Sequence, residues 1–184
     1  MNTEKLKYPI GKFNEPTNIT SKEVKKWINI IKTFPDKLKT EIATLSTVEL
    51  NYKYRPDGWN IKQIVGHCLD SHTNSIIRFK LALTEENPLI RPYNESEWAK
   101  LVDTLFYDIQ ENLELLSLTH KRWIFLLESL TDKQLNRTFI HPDGNEIVTL
   151  KLNIAIYAWH CEHHLQHVIN AKHLNINRQT PNLI

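Results

Sequence analysis

Four of the nine histidines of this 184-residue chain fall within eight positions, in the stretch YAWHCEHHLQHV (157–168). Such density fits a surface run, a set of core histidines satisfied by hydrogen bonds, or a metal site. Helical periodicity separates these readings. At about 100° per residue, with His160 at zero, His164 falls near +40°, His167 near −20° and His163 near −60°. All four lie within an arc of roughly 100°, the width of a core-facing stripe, and Ile156 and Tyr157 share the sector. The histidines therefore stand where a core should be. Burying imidazole is unfavourable unless each nitrogen finds a partner, and a divalent ion is the partner that engages several at once. His160 and His164, at i and i+4, can converge on one ion; so can His163 and His167, and spacing alone leaves the register open. A catalytic metal site takes three protein ligands and keeps one position free.

A candidate third ligand stands in GWNIKQIVGHCLDSHTNSIIRF (58–79). His67 lies on a polar stripe with Gln63, Asp70, Ser71, Asn74 and Arg78, a stripe that either faces solvent or lines a wet pocket between helices. Asp70, one turn after His67, is the candidate proton acceptor or imidazole-orienting partner, and Asn74 and Arg78 are candidate substrate contacts. His72 points instead into the sector of Ile61, Val65, Cys68 and Ile76. His120, in LTHKRW, reads as structural, His141 as a surface residue before Pro142, and His173 as part of a frayed last turn. Cys68 and Cys161 are each rotated about 100° from the neighbouring histidine and pack as small apolar residues.

The elements that must carry these side chains are mostly helices. Residues 1–18, with Pro9, Gly11 and Pro16, read as an irregular arm held down by Tyr8, Ile10 and Phe13. Thr20 or Ser21 caps a first helix with Glu23 in its first turn. Val24, Trp27, Ile28 and Ile31 continue its apolar face until Pro35, where the helix is expected to break and restart. YRPDGW (54–59) is a turn. Asn60 caps a second helix over about 60–84, RPYNES (91–96) is loop, and a third helical stretch over about 96–129 must bend or break, being long for a domain of this size. In FIHPDGNEIVTL (139–150), Asp143-Gly144 marks a β-hairpin. A last helix runs from near Thr149 to about 174. The fold class is all-α, a four-helix bundle with a small hairpin insertion, in a single domain over 1–184.

Composition narrows the function. Apolar residues make up 41% and charged ones 24%, with a formal charge of +2 and a pI near 8.4. That balance lacks the basic stripe of a nucleic-acid binder. No apolar run approaches the ~18 residues needed to span a bilayer, and MNTEKLKYPIGKF has no signal-peptide core. The two unspaced cysteines fit reduced thiols and a cytoplasmic location. With four glycines and no phosphate-cradling loop or nucleophile elbow, Rossmann, P-loop and serine-hydrolase readings fall away.

YPIGKF, YRPDGWNIKQIVGHCLDSHTNSIIRFKLALTE, HKRWIFLLESL and AIYAWHCEHHLQHV, in this order and spacing, resemble the YfiT-like branch of the DinB superfamily. The resemblance implies a four-helix bundle that binds one zinc or nickel ion through three histidines, hydrolyses a small-molecule substrate and forms a homodimer. It assigns the ligands as His67, His160 and His164, against His163 and His167. Three neutral imidazoles would leave the ion its full charge and an open position at which water is acidified. Relatives in the superfamily that transfer low-molecular-weight thiols, such as bacillithiol or mycothiol, imply a second chemistry at the same triad. A non-catalytic metal-binding bundle is a third reading.

Overall fold

The computed structural model describes residues 3–179, with side chains through residue 174. The arm is not irregular throughout: it opens with a five-residue helix, α1 (Thr3–Lys7). Gly11, at φ +83°, then turns its carbonyl toward Trp159, whose Nε1 donates to it at 3.2 Å. Phe13 packs edge-on against the same indole with ring centroids 6.1 Å apart. Tyr8 and Phe13 are half-buried as expected, while Ile10 stays exposed.

Helix α2 (Ser21–Ile42) starts at a capping box in which Thr20 Oγ1 accepts from the Glu23 amide and the Glu23 carboxylate accepts from the Thr20 amide. The expected break at Pro35 does not occur. The helix runs through the proline, which is buried against the bundle. Proline removes the amide that would bond the carbonyl four residues back; that carbonyl, on Ile31, instead accepts from His120 Nδ1 at 2.8 Å. Tertiary packing has supplied the missing donor, so the helix has no reason to stop.

The turn over 54–59 is closed by an isolated bridge between Lys53 and Asn60, with Asp57 at φ +55°. Asn60 and Gln63 then form a second capping box, and α3 spans Ile61–Thr84. The long third helical stretch is three pieces: α4 (Glu95–Trp98), α5 (Val102–Phe106) and α6 (Ile109–Glu128). Asp108 restarts the chain by accepting from the Gln110 and Glu111 amides. The broken region lies across the polar stripe of α3. Gln63 Nε2 donates to the Ala99 carbonyl at 2.8 Å, and a Cβ at Gly66 would stand 2.8 Å from Thr104 Cγ2. The glycine is what lets α5 approach so closely.

A short α7 (Asp132–Leu135) leads to the hairpin, β1 (Thr138–His141) and β2 (Glu146–Thr149), antiparallel with Thr138 opposite Thr149 and Gly144 at φ +80° in the turn. Thr149 Oγ1 accepts from the Leu152 amide and opens α8 (Leu150–Gln179), which extends past the expected end near 174. His141 is half-buried and His173 exposed.

Most of the described residues are helical. Helices α2, α3, α6 and α8 form the bundle, around Ile31, Phe34, Leu38, Ile64, Phe79, Leu116, Trp123 and Ile154. Cys68 and Cys161 are both fully buried in it. Among the described residues no helix is long and apolar enough to cross a membrane.

Candidate metal centre

Helix α8 presents its histidines to the interior, as periodicity requires, and α3 brings His67 to meet them. His67 Nε2 lies 3.1 Å from His160 Nε2. Two imidazole nitrogens this close share either a proton or a cation. Nitrogens held about 2.0–2.1 Å from one tetrahedral ion stand roughly 3.3 Å apart, so the observed separation suits a shared metal. Among the described residues two histidine trios have ligand atoms within 4.8 Å of one another: His67, His160 and His164, and His163, His164 and His167. His164 belongs to both.

Burial sets the charge state. Desolvation pushes His67 down to about 4, with the charge of His163 adding to the effect. His163 also falls to about 4, and His167 to about 3, in both cases chiefly through burial. Desolvation, followed by the neighbouring imidazoles, holds His160 and His164 well below the ordinary histidine value. The cluster is therefore neutral at pH 7, and each ring keeps the lone pair a metal needs. No carboxylate belongs to either trio, so an ion held there would keep its full charge.

The histidines form one wall of a cavity of about 500 Å³. The turn before α3 supplies Tyr54, which stacks on His167 at 3.8 Å, and Trp59, whose ring centroid lies 4.6 Å from that of His67. Trp159 stacks on His163 at 4.5 Å, and Tyr8 approaches the same ring from the arm at 6.1 Å. Aromatic side chains and neutral imidazoles thus line much of the cavity, and Lys7, Arg55, Asp57 and Glu95 add charge to it.

The three histidines implied by the resemblance come together; the polar stripe beyond them does not join the cavity. Asp70 is half-buried, and desolvation, reinforced by Asp103, raises its carboxyl to about 6. It does not line the cavity, and His67 Nδ1, the atom it would orient, is buried without a hydrogen-bond partner. Asn74 donates to the Asp70 carbonyl within its own helix, at 2.9 Å. Arg78 is half-buried with no partner for Nε, near enough to Tyr157 to act on its hydroxyl electrostatically. Ser71 pairs with the Tyr157 hydroxyl at 3.2 Å. The stripe is half-buried, with α5 packed across α3 and the Ala99 carbonyl held by Gln63.

Sequence reasoning passes over the carboxylates that do line the cavity, Asp57 and Glu95. Asp57 sits in the Pro-Asp-Gly turn, where its spacing signals turn chemistry alone. Glu95 lies at the cavity mouth, where partial desolvation raises its pKa. Its one sequence cue is Asn94, whose side chain accepts from the Glu97 amide and starts α4 inside what reads as loop.

Comparison with known proteins agrees with this fold. A metal-dependent hydrolase, provisionally so named, from Halalkalibacterium halodurans is 46% identical over 167 residues, covering 90% of this chain and 95% of its own. YfiT of Bacillus subtilis, under the same provisional name, is 44% identical over 168 residues, covering 91% and 94%. The solved structure of YfiT, described as a four-helix bundle of unusual topology, superposes with a TM-score of 0.90 at 42% identity over 93% of this chain and 98% of that one. A mycothiol-dependent maleylpyruvate isomerase shares the fold alone, with a TM-score of 0.63 at 11% identity over 79% of this chain and 60% of its own. The DinB superfamily profile matches residues 31–168, from the middle of α2 to the last of the clustered histidines, and the chain belongs to that superfamily.

Proposed function

We propose that the chain binds one divalent ion through His67, His160 and His164 and hydrolyses a small substrate in the adjoining cavity. The observation that carries this reading is the facing pair of Nε2 atoms on His67 and His160, 3.1 Å apart on neutral rings. The outer trio is less suited. His167 Nε2 donates to the Lys7 carbonyl at 3.2 Å, and its remaining nitrogen faces His164 Nδ1 at 3.4 Å, so that ring is already engaged on both sides. Imidazole ligands suit both zinc and nickel, and zinc is the ion proposed here. A bound ion would supply a Lewis acid able to activate water and polarise a carbonyl.

The chain's own residues do the rest. Trp59 and Tyr54 give the cavity aromatic walls, and His67, His160 and His164 remain unprotonated at neutral pH. Glu95, the partly desolvated carboxylate at the cavity mouth, is better placed than Asp70 to accept a proton, because Asp70 lies outside the cavity. The names of the homologues support hydrolysis as the reaction class.

The test is elemental analysis of untagged protein, followed by a panel of esters and amides with the metal-loaded and metal-stripped forms. Near one equivalent of metal and metal-dependent cleavage are expected. Metal-dependent conjugation of bacillithiol to an electrophile, without cleavage of any panel member, would replace hydrolysis with thiol transfer.

A further inference from the structure

Two buried histidines lie outside the metal trio, and the proposed reaction does not use them. His72 on α3 is fully buried and His120 on α6 is 1% exposed. They are linked to the site in an unbroken series. His120 Nδ1 lies 2.8 Å from the Ile31 carbonyl, His120 Nε2 lies 2.7 Å from His72 Nδ1, and His72 Nε2 lies 3.0 Å from His160 Nδ1. Phe34 and Trp123 pack around both rings, at centroid distances of 5.5 to 5.8 Å.

The direction of every bond in this series is fixed by its far end. A carbonyl only accepts, so His120 Nδ1 carries the proton. A neutral imidazole has one proton, so His120 Nε2 accepts and His72 Nδ1 must donate. His72 Nε2 then accepts, and His160 Nδ1 must donate. The one nitrogen left with a lone pair is His160 Nε2, the atom that faces His67 Nε2. The Ile31 carbonyl is available because residue 35 is proline and has no amide to give it.

We propose that His72 and His120 are positioning residues, a hydrogen-bonded relay anchored on the Ile31 carbonyl that holds His160 in its Nδ1–H tautomer with Nε2 directed at the metal position. This rests on His160 being a ligand, as proposed above. Orienting partners of ligating histidines are ordinarily carboxylates, carbonyls or water; here the carbonyl acts at a distance of two imidazoles. The relay suits a buried, anion-free core, where a carboxylate would itself need a counter-charge.

The decisive measurement is long-range ¹H–¹⁵N correlation on the imidazoles of the metal-free wild-type protein at neutral pH, which needs no variant. His72, His120 and His160 are each expected as the Nδ1–H tautomer, against the Nε2–H form that free histidine favours in water. An Nε2–H signature on His160 or His72 overturns the proposal. Zinc affinity, read by chelator competition, should fall roughly 10–100-fold in His72→Phe, with His160 losing its single-tautomer signature. His72→Gln, whose amide offers one donor and one acceptor, should recover part of that loss and guards against a folding defect in the first variant. Nδ1–H signatures with unchanged zinc affinity in both variants would refute the positioning role alone. Unchanged affinity in His160→Ala would refute the ligand assignment on which it rests.

Discussion

His160 and His164 stand one turn apart on the same helix, yet they lean on different parts of the molecule. His160 is held from within, through His72 and His120, by bonds of 2.7 to 3.0 Å that tie together α2, α3, α6 and α8. His164 is held from the rim. Its Nδ1 lies 3.4 Å from His167 Nδ1, and His167 Nε2 donates to the Lys7 carbonyl at 3.2 Å. Both series end on a backbone carbonyl and both would leave Nε2 of the ligand free, but one carbonyl belongs to the packed bundle and the other to a short arm. The inner support is as rigid as the core that contains it. The outer support rests on a five-residue helix that buries none of its own residues, and a segment with so few buried contacts has low local stability. The site thus has a fixed side and an adjustable side, and Lys7 and Tyr8 of the arm line the cavity on the adjustable one.

The largest effect should come from removing ligands. Alanine at His67, His160 or His164 should weaken zinc binding at least ~1,000-fold, well beyond the roughly 10–100-fold cost of losing an orienting partner. His163→Ala should keep the ion, since that ring belongs only to the outer trio. Metal stripped by His163→Ala and retained by His164→Ala would move the centre to the rim and invert the comparison.

Acid should attack the inner support measurably. Burial lowers His120 from 6.5 to about 4, partly opposed by its bond to the Ile31 carbonyl. Between those values the unfolded chain binds the proton and the folded chain does not, so stability falls as pH falls through this window and is unaffected by this group above it. For His120 alone the loss by pH 4 is about 3 kcal/mol, because a tenfold change in proton activity across the window is worth roughly 1.4 kcal/mol. Urea unfolding of the metal-free protein at pH 7, 5.5 and 4.5 should show the slope, and His120→Leu should make it shallower by one histidine's share, the buried histidines of the metal centre supplying the rest. An equal slope in that variant would mean that other buried histidines carry the whole dependence.

Glu95 offers an effect of comparable size on rate instead of stability. Glu95→Gln should lower metal-dependent turnover about 100-fold, in the range expected for loss of a positioned proton acceptor, with zinc affinity unchanged. Asp70→Asn, in a carboxyl that does not line the cavity, should leave turnover near wild type. The reverse result would return the acceptor role to the stripe of α3.

The fixed side of the site is the legible side. The helical face of His160 and His164, the cap at Asn60 and the hairpin turn at Asp143-Gly144 all follow from spacing and local chemistry. His72 and His120 are recognisable in sequence as interior residues, but their partnership is not, because it depends on three helices meeting and on a carbonyl exposed by Pro35. That proline reads as a helix break for the same reason: its local cost is visible in sequence, whereas the donor that offsets it comes from 85 residues further along the chain, as the positions of Pro35 and His120 show. The polar stripe of Asp70, Asn74 and Arg78 cannot be judged from one helix alone, since α5, which reads as part of one long helix, packs across α3. The arm, with its low periodicity, gives no indication that Lys7 reaches His167.

That arm is where the smallest and most specific effect is expected. Removing residues 1–13 takes away the Lys7 carbonyl, the Tyr8 ring beside His163 and the Gly11 carbonyl that accepts from Trp159. None of the described residues lost belongs to the bundle core, so far-ultraviolet circular dichroism and urea stability should change little. His167 would then lose the acceptor that fixes its proton on Nε2, and His164 would lose the definition of its tautomer. Because His164 is one ligand of three and water can replace the carbonyl at an opened rim, zinc affinity should fall only a few-fold, less than in His72→Phe, where no water can enter. A truncated protein that binds zinc as weakly as His72→Phe would show that the two supports are equivalent and that the distinction between a fixed and an adjustable side is wrong.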